Sequence, residues 1–176
     1  MSSTSIRPAG TALLGAALFV VACQEPISLD RRTAEAHFTT TSQAELLECP
    51  FPVAHVGMAS VGPSGGTVTA GGSSISIPSG ALLAPTMITL AVSESEVVQV
   101  DITAGDAEHF EFESPVSITI DYSRCPESST DNEMLGAWYV DGATQALLEE
   151  MDATDHRKSR TIEFETDHLS SYAVAH

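Results

Sequence analysis

Gly62-Pro-Ser-Gly-Gly-Thr-Val-Thr-Ala-Gly-Gly-Ser-Ser-Ile-Ser-Ile-Pro-Ser-Gly-Ala-Leu82 is the stretch from which the fold is read. Two short runs, residues 67–70 and 74–77, alternate apolar with small polar side chains and are separated by Gly71-Gly72. Paired glycines supply the positive φ angles of a tight turn, so the runs predict a β-hairpin. Pro78 has no N–H for a ladder, so the second strand ends there or lies at an edge. Gly80 turns the chain, and Ala81 and Leu82 come back as apolar side chains.

The same period continues outward. Residues 51–60 predict an irregular lead-in or a first strand. Residues 86–93 set Ile88, Leu90 and Val92 against Met87, Thr89 and Ala91, and 97–102 put Val98, Val100 and Ile102 on one face. Ala104-Gly105-Asp106 is turn chemistry. Phe110 and Phe112 alternate with Glu111 and Glu113 until Ser114-Pro115, which is predicted to break the ladder. Val116, Ile118, Ile120 and Tyr122 then share a face, the clearest half-buried strand in the chain. Residues 126–134 read as a polar loop, 135–140 and 146–151 as a hairpin about Asp141-Gly142, and 152–160 as a charged loop. Ile162 and Phe164 are predicted core, and 170–175 the last strand. About ten short strands without a long helix predict an all-β, antiparallel sandwich of two sheets. It spans 49–176 as one body, because 126–134 is short for an interdomain linker.

The 176 residues hold 24 acidic and 7 basic side chains, for a net charge of -17. Such a chain repels nucleic acid and anionic head groups. Solubility accounts for the acidity, with weak cation binding as the alternative. Glu94, Glu96, Asp101, Asp106 and Glu108 have the oxygens for Ca²⁺ but no calcium-loop pattern, so they read as a solvated rim. His37, His55, His109, His156, His168 and His176 show no close metal spacing, and no glycine loop for phosphate is present. The expectation is therefore no metal and no cofactor.

Gly65-Gly66-Thr67-Val68 and Ile77-Pro78-x-Gly80-Ala81 carry a resemblance to the ZU5 domain, a β-sandwich module of netrin receptors, ankyrins and bacterial surface proteins. The likeness runs from about Val61 to about Cys125. It implies a sandwich that serves as an interaction module for a protein or cell-envelope partner, with no trans-acting catalysis.

Residues 1–22 read as a secretory signal: Arg7 supplies one positive charge ahead of the apolar run 11–22, too short for an ordinary membrane span. Val20-Val21-Ala22-Cys23 resembles a bacterial lipobox, which implies acylation of Cys23 and a lipid anchor in the membrane. The alternative is an ordinary signal peptide followed by an incidental cysteine. Gln24 is not the aspartate that retains some lipoproteins at the inner membrane, which points to the outer membrane of a bacterial cell envelope. Residues 23–48 are polar and read as a flexible tether, with a helical turn at Ala44-Glu45-Leu46-Leu47. With Cys23 acylated, Cys49 and Cys125 remain as an even pair, which would join outside the cytoplasm. Two free thiols or a metal pair is the alternative.

At the other end, His168-Leu169-Ser170 resembles the site of self-cleaving domains, including ZU5-containing death-domain proteins and the autoproteolysis domain of adhesion receptors. The resemblance implies His168 as base, Ser170 as nucleophile, and Leu169-Ser170 as the bond cut. A structural reading stands beside it: by period two, His168, Ser170, Tyr172 and Val174 share one strand face, where His168 closes the strand entry by hydrogen bonding. Gly62-Pro63-Ser64-Gly65-Gly66 matches G-x-S-x-G in letters only, because a nucleophile elbow needs a helix after the serine and a hairpin follows here.

Overall fold

The computed structural model describes residues 44–105, 107, 110–130 and 134–176. Residues 1–43, with Cys23, the leader and most of the predicted tether, lie outside the described residues, as do Asp106, Glu108 and His109. The alternating runs become eleven strands among the described residues: β1 (His55–Val61), β2 (Gly66–Ala70), β3 (Ser73–Ile77), β4 (Thr86–Val92), β5 (Gln99–Ala104), β6 (Glu111–Asp121), β7 (Gly136–Val140), β8 (Leu147–Glu150), β9 (Ala153–His156), β10 (Thr161–His168) and β11 (Ser171–Ala175). One sheet runs β1-β4-β5-β11-β7-β8 and the other β2-β3-β6-β10-β9. All ladders are antiparallel. The fold is an all-β sandwich, and strands after residue 126 extend both sheets, β11 pairing with β5 and β10 with β6.

The opening hairpin forms as read. Val68 faces Ile75 across β2 and β3, and Gly71 and Gly72 both take positive φ, 56° and 88°. That pair of angles belongs to the turn whose twist matches its flanking strands. β3 stops at Ile77, and Ala81 and Leu82 are buried. Val68, Ile75, Ile118, Ile120, Ile162 and Phe164 from the five-stranded sheet meet Ile88, Leu90, Val100, Ile102, Tyr172 and Val174 from the six-stranded one in a single core.

Four local expectations are corrected. Ser114-Pro115 does not end a strand, since β6 runs straight through it. The missing N–H costs nothing there: β3 pairs only with Ser117 to Thr119, and the β10 register slips between Thr166 and His168, opposite the proline. The charged loop at 152–160 contains β9, an edge strand paired with β10. Thr154 and His156 face water and the part-buried face carries Ala153 and the carboxylate of Asp155, so β9 lacks the apolar alternation of a half-buried strand. Asp141-Gly142 opens a longer loop than a two-residue turn. Asp141 Oδ1 accepts from the Ala143 and Thr144 amides and the Thr144 hydroxyl, and the positive φ falls on Gln145. These donors hold the Asp141 carboxyl below its usual pKa.

The fourth correction concerns the tether. Residues 44–48 form no helical turn and belong to the folded body. Leu46 bridges Ala175, Glu48 bridges Val97, and Leu47 is 1% exposed. A four-residue helical turn cannot pay its own nucleation cost, whereas an open place in a sheet satisfies the backbone on both sides.

Sandwich closure near β1 rests on Gly57. A Cβ at this position would overlap the Thr69 carbonyl of β2. Only a bare α-carbon lets β2 cross so close beneath β1. Gly57→Ala is expected to lower stability by about 1–3 kcal/mol through overpacking, read as a fall in melting temperature. An unchanged melt would mean that β2 can withdraw without loss.

Candidate functional site

The most constrained part of the molecule is the end at which the chain enters. Residues 44–48 lie as a wedge between the diverging ends of β5 and β11. The Leu47 amide donates to Val174 O at 2.8 Å, and Leu47 O accepts from the Val98 amide at 3.0 Å. Glu45 and His176 exchange both backbone bonds, at 2.9 and 3.0 Å. Directly after the wedge, Cys49 is joined to Cys125 by a disulfide across 76 residues. Cys125 follows β6, whose Ile118 and Ile120 are fully buried, so the bridge ties the entry point to the centre of the opposite sheet.

Arg124 completes the junction. Its guanidinium donates to four carbonyls: Cys49 O at 2.9 Å and Ser95, Glu96 and Val97 O at 3.0 Å each. Burial pushes its pKa down, and Glu96 opposes the shift. Arg160 donates to Cys125 O, and its guanidinium lies over the Tyr122 ring. Tyr122 in turn donates to Asp155 Oδ1 at 2.6 Å, and burial raises its pKa. Sequence reasoning missed both arginines. Arg124 sits beside a cysteine, and that adjacency was the one available signal.

A cavity of about 220 Å³ opens beside this junction, lined by Phe51, Val53, His55, Val92, Ile120 and Arg124 among others. Phe51, between Pro50 and Pro52, is 82% exposed and takes φ 62°. A non-glycine residue in that region is strained, and such strain collects at sites of function. Its lining mixes apolar side chains such as Val53, Val92 and Ile120 with polar ones such as Gln99, Asp121 and Arg124.

The residues proposed for self-cleavage lie on a different part of the molecule. His168 ends β10 and Ser170 precedes β11, so the chain passes from one sheet to the other between them. They do not share a strand face, which corrects the period-two reading. His168 Nδ1 lies 3.2 Å from Thr166 Oγ1 and 3.3 Å from Asp167 Oδ1. The Tyr172 hydroxyl donates to His168 O at 2.8 Å and lies 3.1 Å from Thr166 Oγ1. Leu169 is buried, its amide donating to Phe110 O, and Ser170 O accepts from the Ile102 amide. His168, Thr166 and Tyr172 are thus brought together, and Ser170 is held by its backbone. The next residue carries the stronger contact: Ser171 Oγ donates to Asp101 Oδ1 at 2.5 Å, directly across the β11–β5 ladder. Gln99 donates to the same oxygen and accepts from Gln145. Ser64 of the G-x-S-x-G letters sits in the turn between β1 and β2, with a strand on each side.

Among the described residues no group of three or more His, Cys, Asp or Glu is placed to hold a metal ion. No helix of the described residues is long and apolar enough to cross a membrane. Comparison with known protein families and with curated proteins finds no match for the chain.

Two outcomes test this geometry. Removing the bridge with Cys125→Ser should cost on the order of 4 kcal/mol in the chain-entropy account. A reduced protein that melts with the oxidised one would show that the wedge and Arg124 hold the junction alone. Burial raises the Tyr172 pKa to about 12 against an ordinary 10. The unfolded chain then loses this proton from about pH 10 while the folded chain keeps it, so stability is intact below pH 10 and falls between pH 10 and about 12. Tyr172→Phe should flatten that fall in urea titrations at high pH, and an equal slope in both proteins would contradict it.

Proposed function

We propose that this protein is a lipid-anchored, extracytoplasmic β-sandwich of ZU5 type that binds a protein or cell-envelope partner and catalyses no reaction on other molecules. The observation that carries the reading is the Cys49–Cys125 disulfide at the entry junction. Structural disulfides persist in oxidising compartments and are rare in the cytosol. Its position supports the topology as well: the bridge sits at the first residues of the folded body, next to where an anchor at Cys23 would lead. The exposed Phe51 and the cavity beside it give the junction a surface suited to recognition. ZU5 modules elsewhere work by interaction, and that step is by analogy of fold.

The test is the intact mass of the protein extracted from a bacterial membrane, before and after reduction. A chain that begins at a lipidated Cys23, ends at His176 and gains two hydrogens on reduction agrees with the proposal. Cys23→Ala should move the protein from the membrane to the soluble fraction. Recovery of the unsubstituted chain in the medium without lipid would overturn the anchor. A chain ending at Leu169, absent in Ser170→Ala, would replace the reading with self-cleavage.

A further inference from the structure

Charge is unevenly placed along this chain. From Cys49 to Ser93 the sequence holds no Asp, Glu, Lys or Arg, in a protein of net charge -17. That run builds the entry loop and β1 to β4. On the outer face of the six-stranded sheet, the register sets Val56 beside Ala91, Met58 beside Thr89 and Ser60 beside Met87. Val56, Met58 and Met87 are exposed, Met58 by 67%. The first charge met across the sheet is Asp101 on β5, opposite Ala91. Among the described residues, six of the eight exposed large hydrophobics lie in the charge-free run: Phe51, Val53, Val56, Met58, Leu83 and Met87. Apolar exposure gathered on one part of a strongly charged protein marks a place of association.

We propose that the outer face of β1 and β4 is a homodimer interface, packed against the same face of a second copy about a two-fold axis. Charge selects the occupant. Two bodies of this acidity repel, and the repulsion is smallest when they meet where neither carries a carboxylate. The face has no ion to desolvate and none to offer a charged partner, so what covers it must bring an uncharged apolar surface of its own. Val56, Met58 and Met87 lie together on paired strands, and the same face on another copy has that property. A two-fold axis makes it self-complementary, and flexible thioether side chains at Met58 and Met87 adapt to each other across it. The inference is independent of the lipid anchor.

Sedimentation velocity of the purified protein, from micromolar to sub-millimolar concentration and at low and high NaCl, tests it. The expected result is a monomer–dimer equilibrium that shifts towards dimer as salt rises, because screening removes repulsion between the acidic bodies and leaves apolar contact. Met58→Glu points away from the core and should weaken dimerisation at least tenfold, about 1.4 kcal/mol. Met87→Lys should do the same should the first variant fail to fold. Leu148→Glu, on exposed β8 outside this face, should leave the equilibrium unchanged. A monomer under every condition overturns the proposal. So does a dimer that both face variants leave intact.

Discussion

Arg124 and the bond between Cys49 and Cys125 fix the point where the chain enters the sandwich. Around them, backbone carbonyls from two loops converge on one donor group. The carbonyls of Cys49, Ser95, Glu96 and Val97 turn towards one guanidinium, which a loop cannot arrange for itself. With those carbonyls held, Val97 and Val98 lie correctly for residues 44–48 to insert between β5 and β11. β11 is central in its sheet, between β5 and β7, and it carries Tyr172 and Val174 into the core. The order of dependence runs from a covalent bond and one cation, to a wedge, to the register of the six-stranded sheet.

The opposite end is organised by side-chain hydrogen bonds. Thr166, His168 and Tyr172 share a small network beneath the passage from β10 to β11. The tyrosine hydroxyl is buried with its ring and finds the His168 carbonyl, which the sheet crossover leaves without a ladder partner. On the outer face, Gln145, Gln99, Asp101 and Ser171 form a chain of hydrogen bonds from the β7–β8 loop across β5 to β11. Each group closes a seam between elements.

Much of the fold was legible because half-buried strands write their period into the sequence. The Gly71-Gly72 turn, the stop at Pro78 and the faces of β4, β6 and β10 all follow from alternation and backbone chemistry. What escaped was whatever depends on a partner distant in sequence. β9 puts a carboxylate, Asp155, on its part-buried face and so shows no apolar alternation. Pro115 is tolerated because β10 slips opposite it, a property of another strand. Residues 44–48 are polar enough to read as tether, and only the gap between β5 and β11 gives their backbone its bridging partners. At the site level, the cysteine pair was readable by counting, whereas the role of Arg124 and the pairing of Ser171 with Asp101 required the register.

The wedge has a mechanical consequence. Tension drawn through Ala44 runs along an extended segment bonded to strands on both flanks, so several hydrogen bonds are loaded together in shear and none can be peeled singly. Should they yield, the load reaches Cys49 and crosses the disulfide to Cys125. Residues 50–124 then drop out of the path, and no pull of that kind can draw them out. Strands β1 to β6 are thereby shielded from whatever strains the junction, and the charge-free flank keeps its shape under stretch.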